Sequence, residues 1–214
     1  MKKQVAVIGL GRFGTSVALT LSHLGHEVLV IDMEQVKVNE IINDVTHAVV
    51  ADAKDEETLK ALGVRNVDIA VVAIGVDVQA NILISLMLKE IGVAKVISKA
   101  QDPLHGKVLE KIGVDHVVYP ERDMGMRVAH NLDSANFMDF IELSSEHSIV
   151  ELKAPENFTG KTLGQLNLRA KYSVSVMAIK KGERIVVAPG ADAGIEDGDL
   201  LVIIGENNML AKLK

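Results

Sequence analysis

Residues Val5–Asp32 read VAVIGLGRFGTSVALTLSHLGHEVLVID, and this stretch decides the fold. The β-branched run Gln4–Ile8 leads into Gly9-Leu10-Gly11-Arg12-Phe13-Gly14, a G-x-G-x-x-G pattern. A helical pattern over Gly14–Leu24 ends at Gly25, and a second apolar run, Glu27–Ile31, closes on Asp32, eighteen residues past Gly14. Strand, glycine turn, helix, strand and carboxylate in this order predict the opening of a dinucleotide-type fold. Gly9 permits the tight turn, Gly11 lets backbone approach a phosphate, and Gly14 allows close helix–strand packing. The helix N-terminus supplies free N–H donors and partial positive charge. A carboxylate at Asp32 can accept from both ribose hydroxyls of an adenosine and disfavours a 2′-phosphate. The blander alternative is a glycine-rich packing turn that binds nothing.

Outward from this unit, short apolar runs alternate with helical patterns as far as Pro120. The runs are Ala48–Val50, Ile69–Ile74, Lys95–Lys99 and His116–Tyr119; the helices are Gln35–Asn43, Asp55–Leu62, Val78–Ile91 and Pro103–Ile112. Continuous apolar strands mark a parallel sheet covered on both faces, and repeated strand–helix–strand units imply a doubly wound α/β sheet. A further helix, Glu121–Asp133, joins this lobe to a different pattern beginning near Ser134–Phe137. Strands at Ser148–Leu152, Ser173–Ile179, Ile185–Ala188 and Leu200–Ile204, with a short helix around Thr162–Leu166, predict a small α+β lobe. The predicted domains are residues 1–134 and 135–214.

Composition narrows the function classes. The 214 residues are 48% apolar, too many for a disordered chain. The longest charge-free run, Phe13–His26, is short of the roughly 20 apolar residues of a membrane helix. Zero Cys excludes disulfides, thiolate metal sites and a Cys nucleophile. No basic-plus-apolar leader precedes Val5, which predicts a cytoplasmic address. The net charge of −6 is spread over both lobes, 14 Lys+Arg against 18 Asp+Glu up to Ser134 and 9 against 11 beyond. Neither lobe is basic, so nucleic acid is not expected as a partner.

In a doubly wound sheet, ligands bind beyond the carboxyl ends of the strands. The candidate set is therefore Gly9, Gly11, Arg12, Phe13 and Gly14 on the first turn, and Asp32 and Met33 after the second strand. It continues with Asp52 and Ala53 after the third, and Ile74, Gly75 and Val76 after the fourth. Lys99, Gln101 and His105 follow the fifth strand. Arg12 has two open readings: a solvated loop residue, or a guanidinium clamping phosphate charge, which favours ATP or ADP without excluding NAD(H). Glu121, after Pro120, reads either as a first-turn carboxylate complementing the helix dipole or as a ligand for a divalent cation or a contact to phosphate. No His–carboxylate or Ser–His–Asp cluster is visible, and the seven His fit no metal spacing. A nucleotide fold without visible chemistry leaves two classes: a small NAD-dependent oxidoreductase or NADH-sensing regulator, and a sensor whose ligand shifts a conformational equilibrium.

Specific segments resemble the RCK family, regulators of K⁺ conductance. They are AVIGLGRFG (Ala6–Gly14), HEVLVID ending at Asp32, THAVVADA (Thr46–Ala53), VAIG (Val72–Gly75) and SKAQD (Ser98–Asp102). KVLEKIGVDHVVYPERDM (Lys107–Met124), SIVEL (Ser148–Leu152) and RAKY (Arg169–Tyr172) extend the resemblance over nearly the whole chain. It is strongest to the cytosolic regulatory subunits of Ktr-type bacterial potassium uptake systems. The resemblance implies dimers assembled into an octameric ring, docked on a membrane K⁺-translocating subunit of Ktr/Trk type at the inner face of the membrane. It implies ATP as activating and ADP as inactivating ligand, held around Arg12, Asp32, Asp52, Ala53, Ile74, Lys99 and His105. It places Glu121 near the phosphates and a cation, Mg²⁺, Ca²⁺ or Na⁺, and cyclic di-AMP on the second lobe, with Arg169, Ala170 and Tyr172 as candidates. Tyr119 stands where family members often have His.

Overall fold

The computed structural model describes residues 2–133 and 137–213. It divides into two units, Met1–Pro120 and Glu121–Lys214. In the first unit the chain runs β1 (Gln4–Ile8), α1 (Arg12–His23), β2 (Glu27–Asp32), α2 (Gln35–Ile41), β3 (His47–Val50), α3 (Glu56–Ala61), β4 (Ile69–Val72), α4 (Val78–Ile91), β5 (Val96–Lys99), α5 (Pro103–Lys111) and β6 (His116–Val118). Its strands form one parallel sheet in the order β3-β2-β1-β4-β5-β6. This is the doubly wound, Rossmann-like arrangement, whose order reverses between β1 and β4.

Burial explains why the strands are continuously apolar. Ala6, Ile8 and Ile31 belong to the core on one face, with Leu59, Ile84 and Leu88. Val5, Val7, Val28 and Val30 belong to the core on the other, with Ala18 and Val38. Each fully buried Ile or Leu contributes about 1.5–3 kcal/mol. Helix α4 has the clearest ends. Asp77 caps it by accepting from the Ala80 N–H (2.9 Å), and Gly92 closes it at φ +90°, where a residue with a Cβ is strained.

The predicted elements of this unit form, with ends shifted by one or two residues. Strand β4 stops at Val72 instead of Ile74, because the Ile74 carbonyl accepts from the Asn81 side chain (2.8 Å) and not from a neighbouring strand.

Helix α6 (Pro120–Asp133) starts on the last residue of the first unit, belongs to the second from Glu121 onward, and is exposed from Glu121 through Ala129. The second unit continues with β7 (Phe137–Glu142), β8 (His147–Lys153), α7 (Leu163–Leu166), α8 (Leu168–Tyr172), β9 (Ser175–Lys181), β10 (Arg184–Val187), β11 (Leu200–Glu206) and α9 (Asn207–Leu210). The sheet is antiparallel, in the order β10-β9-β11-β8-β7, over a core of Leu152, Ile179, Leu201, Ile203 and Leu210. This is the predicted small α+β lobe, with β7, α8 and α9 as additions. The sequence reading passed over β7, which pairs with β8 through Ile141↔Ile149 and Glu142↔Ser148. The predicted boundary near Ser134 falls at residues 134–136, outside the described residues. Helix α6, which the sequence reading joined to the first lobe, clusters with the second unit. No helix among the described residues is long and apolar enough to cross a membrane.

Candidate functional site

The carboxyl ends of β1, β2, β3 and β4 enclose a cleft of about 320 Å³, within the size range of small-molecule sites. Of the predicted residues, Gly9, Gly11, Asp32, Met33, Asp52, Ala53, Ile74, Gly75 and Val76 line it. Val76 is 94% exposed and forms part of the lip.

The three loop glycines meet three different constraints. Gly9 has φ +95°, and a Cβ there would stand 2.9 Å from the Ile74 side chain. Gly14 packs under Gly9, so a Cβ on it would lie 1.9 Å from the Gly9 carbonyl oxygen. A Cβ on Gly11 would meet nothing within 4 Å, so this glycine keeps open a space the fold does not fill. Gly11 is the N-cap of α1, with no side-chain cap bond and no acidic residue in the first turn. The first-turn N–H donors therefore keep their affinity for an anion.

Asp32 ties β2 to this loop. Its Oδ2 accepts from the Leu10 N–H at 2.6 Å and its Oδ1 from the Glu34 N–H at 2.8 Å. A carboxylate has about four lone-pair sites, so two remain for hydroxyl donors in the cleft. Asp52 is similarly half-engaged, accepting from the Lys54 N–H at 2.9 Å. Four charged lining residues were not in the predicted set: Glu34, Lys37, Lys54 and Asp77. Lys37 pairs with Glu34 at 2.5 Å, and this bond holds the Lys37 ammonium above its ordinary pKa. The Lys54 ammonium lies 3.8 Å from Asp52. Lys37 and Lys54 are thus each balanced by a neighbouring carboxylate.

The rim carries Lys99, whose Nζ lies 2.9 Å from where a Cβ on Gly75 would stand, so its side chain runs over the Gly75 backbone. Arg12, the first residue of α1, is exposed and outside the cleft lining. Phe13 is half-buried against the Val7–Val30 side of the core.

His105 is 4% exposed and sits behind the strand ends. Its Nδ1 accepts from the Gln101 N–H at 3.2 Å, which leaves Nε2 to donate to Asn81 Oδ1 at 3.2 Å. Burial lowers the His105 pKa; nearby Asp102 opposes this only in part. Asn81 itself was not anticipated. The signal for it was present: in the apolar helix VQANILISLML, Asn81 and Ser85 are spaced i, i+4 on a face that should be core.

In the second unit, Glu121 is exposed in the first turn of α6, beside Asp123 in the same turn. No group of three or more His, Asp and Glu poised for a metal exists among the described residues. Arg169 and Ala170 are exposed on α8, and Tyr172 packs partly against the second core.

The fold and this site define a class, and comparison with known proteins names it. Residues 5–120 match the TrkA-N domain model and residues 147–214 the TrkA-C domain model, so the chain belongs to the TrkA/RCK family. Within that family it is 51% identical to Ktr system potassium uptake protein C of Bacillus subtilis, over 96% of this chain and 93% of that protein. It is 44% identical to protein A of the same organism, over 99% and 96%, and 41% to protein A of Vibrio alginolyticus, over 99% and 97%. Among solved structures, the GsuK RCK domain superposes with a TM-score of 0.69 at 20% identity, covering all of this chain and 47% of that one. At that identity the likeness is one of fold.

Proposed function

We propose that this chain is a nucleotide-sensing regulatory subunit of a Ktr-type potassium uptake system and is not an enzyme. The observation that carries the nucleotide reading is the uncapped α1 terminus beside the open face of Gly11, with Asp32 lashed to the same loop. Adenosine occupies the cleft, its ribose hydroxyls donating to Asp32. The diphosphate lies along Gly9–Gly14, met by α1 N–H groups and by Lys99, while Arg12 takes further phosphate charge. Structures of the GsuK channel carry NAD in one case and ADP in another, on the same fold.

ATP favours the active state and ADP the inactive one. Across a subunit pair, the negative charge of the γ-phosphate would repel Glu121 unless a cation, Mg²⁺, Ca²⁺ or Na⁺, bridges the two. Dimers assemble into an octameric ring that docks at the inner face of the membrane on a K⁺-translocating subunit. Cyclic di-AMP acts on the second unit through Arg169, Ala170 and Tyr172 and is inhibitory. Moving a ring from mostly closed to mostly open takes about 5.5 kcal/mol of differential affinity, which several coupled sites supply at a modest preference each.

The supporting relatives are potassium uptake proteins matched end to end. The test is K⁺ flux into vesicles holding the translocating subunit and this chain. Flux that rises with ATP and falls with ADP supports the reading; flux indifferent to both refutes it. Tighter binding of NADH than of ADP, with a substrate-dependent absorbance change, would favour the oxidoreductase instead.

A further inference from the structure

Beneath the cleft lies a buried polar cluster centred on Asn81, a residue outside the predicted nucleotide set, with His105 as one of its members. Asn81 is fully buried in α4. Its Nδ2 donates to the Ile74 carbonyl at 2.8 Å and to the Lys99 carbonyl at 3.1 Å. Its Oδ1 accepts from Ser98 Oγ at 2.9 Å and from His105 Nε2 at 3.2 Å. Both amide hydrogens and both oxygen lone pairs are therefore engaged. The orientation is fixed, because a flipped amide would set its oxygen against two carbonyl oxygens.

The two carbonyls sit at a decisive place. The β4–β5 ladder ends at the pair Val72↔Ser98. Ile74 and Lys99 lie just past it, where paired strands are free to diverge. The Asn81 amide bridges that gap. Lys99 then lays its side chain over Gly75, the residue after Ile74. One amide thus holds the backbone under the ammonium and the backbone over which the ammonium lies.

We propose that Asn81 is a positioning residue for nucleotide phosphates: by clamping the Ile74 and Lys99 carbonyls together, it sets the point from which the Lys99 ammonium meets the phosphate chain. The inference rests on the nucleotide reading above. Ser98 and His105 serve it by holding the Asn81 oxygen. Ser85, which donates to Ser98 Oγ at 3.1 Å, touches neither carbonyl and is a structural control.

The test is a double-mutant cycle on the full chain, with ADP titrated calorimetrically and adenosine followed by ligand-observed NMR. Asn81→Ala and Lys99→Ala are each expected to weaken ADP about tenfold, the scale of a lost charge-assisted bond, and adenosine less than about threefold. The double variant is expected to bind ADP within about twofold of Lys99→Ala alone, because residues acting through one contact do not add. Ser85→Ala is expected to lower stability and leave the ADP-to-adenosine affinity ratio unchanged. If Asn81→Ala does not fold, Ser98→Ala gives the same pattern at smaller amplitude. Additive losses, or equal losses of adenosine and ADP, overturn the inference alone. A wild-type chain that binds no ADP overturns the nucleotide reading and the inference with it.

Discussion

Asp32 Oδ2 accepts from the backbone N–H of Leu10 at 2.6 Å, so the carboxylate that ends β2 also braces the glycine loop that ends β1. One side chain thus fixes the loop and, with its remaining lone pairs, faces the cleft. Asp32→Asn keeps the shape but removes the charge and one acceptor oxygen. ADP affinity is expected to fall about tenfold or more, given about 1.5–3 kcal/mol for hydrogen bonds to a charged group. Discrimination against NADPH relative to NADH is expected to shrink. Competition titrations with the two dinucleotides measure it.

The glycines separate stability from binding. Gly14→Ala places a methyl group 1.9 Å from the Gly9 carbonyl oxygen, so backbone must move, at about 1–3 kcal/mol. Gly11→Ala meets no protein atom within 4 Å and is expected to cost about 1 kcal/mol or less as an N-cap change. Its methyl group projects into space assigned to phosphate, so ADP binding is expected to drop while urea unfolding barely shifts. Unfolding and titration of both variants check the crossed pattern.

His105 gives the first unit a pH dependence of definite sign. Burial lowers its folded pKa below the ordinary 6.5, so the unfolded chain binds more protons between the two values. Stability is then full above about pH 6.5 and is lost as pH falls toward the folded pKa. The urea midpoint is expected to decline from pH 7.5 to 5.5, about the range in which an ordinary His titrates. His105→Gln should flatten that decline.

In the second unit, Asp199 is 4% exposed, accepting from the Glu196 N–H at 2.8 Å and facing the Lys181 ammonium at 3.2 Å. Lys181, held above its ordinary pKa chiefly by its bond to Glu196, partly neutralises this buried carboxylate. Lys181→Met leaves Asp199 with its backbone donor alone and is expected to destabilise by about 1–3 kcal/mol. Asp199→Asn with Lys181→Met should recover part of that loss in thermal unfolding.

Much of this was legible in the sequence because parallel strands buried on both faces write themselves as unbroken apolar runs. Val5–Ile8 and Val28–Ile31 are such runs, and the glycine turn after the first and Asp32 after the second place the cleft. The strand β7 was not legible: FMDFIE carries Asp139 in its middle and a bulge beside it, which blurs the strand period. Asn81 left only a local trace, its i, i+4 spacing from Ser85 on an apolar helix face, because its four bonds go to Ile74, Ser98, Lys99 and His105, on other segments of the chain. Gly11 and Gly14 take different roles from their places in the glycine pattern, and the structure gives Gly11 an open face and Gly14 a crowded one.

The central claim is that the cleft at the ends of β1–β4 binds an adenine nucleotide through the glycine loop and Asp32. Calorimetric titration of the full chain with ADP and ATP tests it most directly. The account predicts saturable binding of both, weakened by Asp32→Asn and by Gly11→Ala. Absence of heat and of saturation for both nucleotides at millimolar concentration would contradict it.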